Sequence, residues 1–209
     1  NGSGQLGLGD TNSRGDNASD MGGNLTTVDL GTGKTARAIE AGDNHTCAIL
    51  DNASVKCWGS NASGQLGLGD TDSRGDNSSE MGDSLPIVNM GSGRTAKAIA
   101  AGYAHTCAIL DNAYVKCWGS NTSGQLGLGD INNRGDNSSE MGGNLTTVDL
   151  GSGRTTKAIS TGDSHTCVIL DNSHVKCWGD NTFGQLGQGD NSNRGDGSNE
   201  MGGNLNAVN

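Results

Sequence analysis

One period governs this chain. The stretch Asn61-Ala-Ser-Gly-Gln-Leu-Gly-Leu-Gly-Asp70 recurs, with few changes, from Asn1, Asn121 and Asn181. His45-Thr-Cys-Ala-Ile-Leu-Asp51 recurs from His105 and His165, and Val55-Lys-Cys-Trp-Gly59 from Val115 and Val175. Every offset is a multiple of 60, without insertion or deletion. Fixed-period self-similarity is the signature of a stacked array, in which each unit completes its neighbour's core. The chain therefore reads as a single array over 1–209, with units 1–60, 61–120 and 121–180 and a partial unit 181–209.

Composition agrees with such an array. Leu, Ile, Val and Phe together supply 33 of 209 residues, and the net charge is −10. That poverty of apolar side chains excludes one large conventional core. The longest apolar runs, such as Cys47–Leu50, have four residues, against the ~20 of a membrane-spanning helix. Membrane insertion is not expected. Nor is nucleic-acid binding, which wants a basic stripe. The sequence begins at Asn1 without an initiator Met and reads as processed, or as a piece of something longer.

Within each unit no helical stripe is present, and the second half reads as short strands. Thr35–Gly42 alternates and ends in a turn, His45–Leu50 and Ser54–Gly59 flank the turn residues Asp51-Asn52-Ala53, and Leu25–Leu30 is a weaker fourth strand. Three or four short strands in tandem predict an all-β fold of propeller blades.

The pattern Gly42-x-x-His45-Thr, followed by Val55-x-x-Trp58-Gly59-x-Asn61-x-x-Gly64-Gln65-Leu66-Gly67-x-Gly69, resembles the repeat of the regulator-of-chromosome-condensation family. The resemblance implies a β-propeller, usually of seven blades, and makes guanine-nucleotide exchange a formal option. Here about three and a half units are present, each full unit carrying two cysteines and a long acidic loop. The shared residues are scaffold residues, so they transfer fold rather than activity.

Six cysteines form pairs 47/57, 107/117 and 167/177. In a hairpin turning at Asn52, Cys47 and Cys57 lie opposite each other on one face, which suits a cross-strand disulfide. A metal site from His45, Cys47 and Cys57 is the alternative, although it lacks the Cys-x2-Cys knuckle of structural zinc. Buried free thiols are the third. The disulfide reading also places the chain outside the cell or on its surface.

Other motifs meet plainer readings. Trp58, Trp118 and Trp178 read as one packing anchor per blade rather than a sugar-stacking row. His45, His105 and His165 read as structural hydrogen-bonding residues across the adjoining turn, since no nucleophile with an orienting carboxylate accompanies them. Gly64–Gly69 lacks the Lys and helix of a phosphate loop. Asp70, Asp72 and Asp76 are weak Ca²⁺ candidates, because Arg74 and Met81 stand where an EF-hand places ligands; no other cofactor is implied. Arg-Gly-Asp at 74–76, present in all four units, fits a structural turn with Arg74 paired to a carboxylate. Asn1, Asn17, Asn24, Asn44, Asn52, Asn61, Asn77, Asn121, Asn137 and Asn144 stand in Asn-x-Ser/Thr sequons.

The units differ most at two turns. Asp43-Asn44, Tyr103-Ala104 and Asp163-Ser164 precede the histidine, while Ser54, Tyr114 and His174 occupy the hairpin tip. Variable loops on a rigid frame are where binding resides. Asp43, Asn44, Tyr103, Tyr114, Asp163 and His174 are therefore the candidate binding residues, with the two tyrosines as anchors. No residue set offers an activated nucleophile, so a non-enzymatic extracellular scaffold is expected. Its partners would be another copy of itself, further repeats, or a surface protein or glycan. Uncapped blades need a neighbour, which predicts a closed ring or a filament.

Overall fold

The structure is a computed structural model describing residues 1–208. It contains three antiparallel sheets of three strands each. Strands β1 (Ala36–Ala41), β2 (His45–Leu50) and β3 (Val55–Gly59) form the first sheet. Strands β4 (Ala96–Ala101), β5 (His105–Leu110) and β6 (Val115–Gly119) form the second, and β7 (Thr156–Thr161), β8 (His165–Leu170) and β9 (Val175–Gly179) the third. The fold is all-β, a propeller-like run of about three blades that does not close. The expected fourth strand is absent. Leu25–Leu30 and its counterparts run as extended coil because they contribute single ladder bonds, such as Val88 N–H to the Val55 carbonyl (2.9 Å).

Each hairpin turns at a residue with positive φ, Ala53 and Ala113 at 66° and Ser173 at 69°. The tight turn fixes the register His45↔Gly59, Thr46↔Trp58 and Cys47↔Cys57, which repeats in the other two sheets. Opposed cysteines follow from that register. All three pairs are bridged: Cys47–Cys57, Cys107–Cys117 and Cys167–Cys177. No cysteine is left to bind a metal or to stay a free thiol.

The core lies between sheets, not within them. Cys47, Ile49, Val55 and Cys57 of the first sheet pack against Ile99, Ala108, Leu110 and Trp118 of the second. The same pattern places Cys107, Ile109 and Val115 against Val168, Leu170 and Trp178. A chain poor in large apolar residues thus completes each core with two neighbours' side chains. Among the described residues no helix is long and apolar enough to cross a membrane.

Candidate interaction surface

The seam between sheets is held by a relay of polar groups that the repeat brings together. Trp118 Nε1–H and the Thr106 hydroxyl both donate to the Gln65 carbonyl, at 3.0 and 2.8 Å. Because Thr106 Oγ1 gives its proton to that carbonyl, it accepts from His45 Nε2–H at 2.8 Å. His105 does the same to Thr166 at 3.1 Å. His45 and His105 are therefore structural, but their bonds reach the following sheet rather than spanning their own turn. Gly67 sits beneath the indole, where a Cβ would lie 2.8 Å from Trp118 Nε1.

Burial of these imidazoles opposes their charging. It pushes His45 down to about 4. His105 falls to about 3, through burial and then the facing charges of His45 and His165. Both values lie below the ~6.5 of an unfolded histidine. The unfolded chain thus binds more protons as the pH falls below about 6.5, and stability declines toward pH 4. We expect Trp fluorescence in a urea titration to show a falling midpoint over that range. A double variant His45→Gln, His105→Gln, which retains an N–H donor, should flatten the dependence. A wild-type midpoint constant from pH 7 to 4 would rule this out.

The lysine of the apolar strand was not singled out in the sequence, although a charge repeated inside Val-Lys-Cys-Trp was a usable signal. Lys56 Nζ donates to the Leu30 and Gly82 carbonyls at 3.0 and 2.7 Å, clamping two successive loops to one strand. Lys116 and Lys176 repeat the clamp. Thr46, Thr106 and the Gln5, Gln65 and Gln125 carbonyls were likewise missed, because their partners stand 41 to 61 residues away.

The acidic loop is internally committed. Asp70 pairs with Arg74 at 2.7 Å and accepts from Asn61 Nδ2, and Asp72 is exposed. Asp76 is raised by burial and by the adjoining Glu80 carboxylate. Glu80 in turn caps the Gly75 and Asn77 amides at 2.9 and 3.1 Å. Among the described residues no three acidic, His or Cys side chains gather to hold a metal. The Arg-Gly-Asp tripeptide at 74–76 is part of this turn, with Gly75 buried and Arg74 held by Asp70 and the Asp72 carbonyl.

Two sequon asparagines are also corrected. Asn61 and Asn121 are fully buried, and their amides donate to the Asp70 and Asp130 carbonyls. No glycan fits on either in the folded chain. Asn17, Asn24, Asn44, Asn52, Asn77, Asn137 and Asn144 are exposed.

The variable turns lie at opposite ends of the sheets, as their positions on one strand require. Tyr103 is 53% exposed, and its amide donates to the Asp163 carbonyl at 3.1 Å. With Asp43 and Asn44, also exposed, it marks the turn end. Tyr114, 43% exposed, and His174 mark the hairpin-tip end. Lys34, Arg94 and Arg154 fall at the tip end, where the two arginines pair with Asp111 and Asp171. The arginines nearest the turn end are each paired with the aspartate four residues before them. The turn end is accordingly acidic and aromatic.

Family models for the regulator of chromosome condensation (RCC1) repeat match residues 36–65, 96–125 and 157–185, and also 54–109. Together they span more than half of the chain. This protein belongs to the RCC1 repeat family. The matched segments begin at β1, β4 and β7 and run through the Trp strand into the Gly-Gln-Leu turn, the residues that build the seam.

Among curated relatives, the ultraviolet-B receptor UVR8 of Arabidopsis thaliana is 31% identical over 158 residues, covering 74% of this chain and 31% of the receptor. The mouse X-linked retinitis pigmentosa GTPase regulator is 31% identical over 156 residues, covering 74% of this chain and 14% of its own length. The chain thus spans about a third or less of these relatives. Human WBSCR16 superposes with a TM-score of 0.65 at 19% identity, covering 94% of this chain and 44% of that structure. Prp20p of Saccharomyces cerevisiae, described with its binding to Gsp1p and histones, gives 0.61 at 17% identity, covering 83% and 38%. At such identities the structures speak for the shared fold. RCC1 repeats serve as protein-interaction scaffolds, and this chain consists of such repeats.

Proposed function

We propose that this RCC1-repeat chain is a non-enzymatic extracellular scaffold whose end sheets associate with another copy or with further repeats, building a ring or a filament. One observation carries the reading. Ile99 is 5% exposed inside the array, whereas its counterpart Ile39 in the first sheet is 61% exposed. Ile49 and Ile109 are 0% and 2% exposed, whereas Ile169 in the last sheet is 42% exposed. The positions that join sheets in the interior stand open at both ends. Three bridges support an oxidising compartment, and the seven exposed sequons suit a glycosylated surface. Sedimentation velocity over a concentration series, with electron microscopy of the same samples, tests this. Growth into rings or fibres with a regular axial repeat is expected. A monomer at every concentration would overturn it.

A second reading rests on Tyr103 and Tyr114, two exposed aromatics on a bridged frame. In it the chain is a secreted binding module, for a protein or a glycan, acting through the variable turns. The acidic turn end beside Tyr103 suits a basic protein surface. Saturable binding to a candidate partner, lost in Tyr103→Ala with Tyr114→Ala at unchanged melting temperature, would favour it.

A further inference from the structure

The first strand of every sheet carries a β-bulge at the same phase. Ala36 pairs with Leu50 and Ala38 with Ile49, so Arg37 between them has no partner across the ladder. Lys97 holds that place between Ala96 and Ala98, and Lys157 between Thr156 and Ala158. A bulge re-aims a side chain, and bulges are common beside functional sites. Here the re-aimed residue is a cation in each sheet, and all three cations are exposed. Lys97 lies in the middle sheet, which packs against a sheet on either side, and it is still open. The position therefore stays open inside the array, whatever adjoins the outer sheets.

The fold gathers the three into one row. Strand β1 lies beside β4, and β4 beside β7. The Ala96 amide donates to the Ala53 carbonyl at 3.0 Å and the Thr156 amide to the Ala113 carbonyl at 2.9 Å. Each bulge is thereby seated against the hairpin tip of the preceding sheet. Arg37 Nη2 reaches across to donate to the Ala96 carbonyl, one residue from Lys97. Lys157 Nζ donates to the Ser173 hydroxyl at 3.2 Å. Lys97 meets no acceptor among the described residues.

The other cations of the chain are committed. The arginine of each acidic loop pairs with the aspartate four residues before it. Lys56, Lys116 and Lys176 are the loop clamps. Arg94 and Arg154 take up Asp111 and Asp171 at the tips of their own sheets, and Lys34 and Asp51 are their counterparts in the first sheet. What remains of the 13 lysines and arginines is the bulge row. Glu40, the one acid on the three first strands, stands at the far end of β1. A chain of net charge −10 thus keeps its available positive charge in one place, away from the acidic turn end.

We propose that this row docks an acidic segment of a partner protein. The segment lies across the first strands and sets carboxylates on Arg37, Lys97 and Lys157 in turn. The lysine ammoniums and the remaining N–H groups of Arg37 give charge-assisted hydrogen bonds to them. A long polyanion such as nucleic acid would run off this short row onto surface of its own sign, whereas a short acidic segment ends within it. A protein source fits a chain built of RCC1 repeats, which serve as protein-interaction scaffolds.

Fluorescence anisotropy of a labelled deca-glutamate peptide, titrated with the whole chain at low salt, tests this. Binding that weakens as salt is added is expected. The variant Arg37→Gln, Lys97→Gln, Lys157→Gln should weaken it about tenfold, the worth of three exposed pairs. Lys97→Gln alone, at a side chain that holds nothing in the fold, should weaken it about twofold. Thr11→Glu, Thr71→Glu, Ile131→Glu makes the same change in net charge at exposed loop positions and should leave the affinity nearly unchanged. An equal loss in both triple variants, or no binding of the peptide at low salt, would overturn the row as a site. An oligothymidylate and a heparin fragment of equal charge form the other arms. If either outbinds the peptide at physiological salt through the same three cations, the assignment to an acidic protein segment fails.

Discussion

Reduction of the three bridges should unfold this chain. Each closes a loop with a sequence separation of 10, for which the chain-entropy model gives roughly 2.5–3 kcal/mol. Three together amount to about 8 kcal/mol, comparable with the whole stability of an ordinary domain, ~5–15 kcal/mol. Few other resources could compensate, since so little large apolar surface is present. Cys47, Cys57, Cys107 and Cys117 are fully buried in the seams, whereas Cys167 is partly exposed on the open face of the last sheet. Mild reductant should therefore open Cys167–Cys177 first, and stronger reductant should collapse the β-sheet circular dichroism. Mass spectrometry after alkylation gives the order, and a urea titration at each stage gives the cost. A fully alkylated chain, six thiols modified, that kept its native urea midpoint would overturn the expectation.

The sequence was legible where interactions are local in register. The turn at Asp51–Ser54 sets β2 against β3, and opposed Cys47 and Cys57 follow by counting. The 60-residue period likewise marks the array, and the Gly-x-x-His and Trp-Gly-x-Asn spacings mark the family. What stayed hidden lies one period away. His45 finds its acceptor at Thr106, and Trp118 finds its carbonyl at Gln65. Neither pairing is visible within a unit, where the nearest partner the sequence offers the histidine is its own turn. The fourth strand failed for a related reason. Leu25–Leu30 has a strand's apolar content, but its counterparts are fixed by lysine clamps and isolated bonds rather than by a ladder. Asn61 and Asn121 read as sequons because the triplet says nothing of burial. Their amides close the Gly-Gln-Leu turn, and that role took them out of solvent.

Trp118→Ala should be the most damaging single substitution. The side chain is fully buried in the seam between the first and second sheets, among Cys47, Ile49 and Leu66. Truncating a buried Trp costs about 3–5 kcal/mol, through lost transfer energy and the cavity left behind. Here the damage extends further along the relay. The Gln65 carbonyl keeps only Thr106, and Thr106 is the acceptor for His45. The seam joins sheets that are each too thin to hold a core, so weakening it should uncouple the first sheet from the other two. Urea unfolding should then split into two transitions where the native chain shows one. Trp118→Phe separates the causes, because it retains much of the packing and removes the indole N–H. It should lower the midpoint by a smaller amount and preserve the single transition. A cost below about 1 kcal/mol for Trp118→Ala, with cooperativity intact, would mean that the seam is not what binds the sheets together.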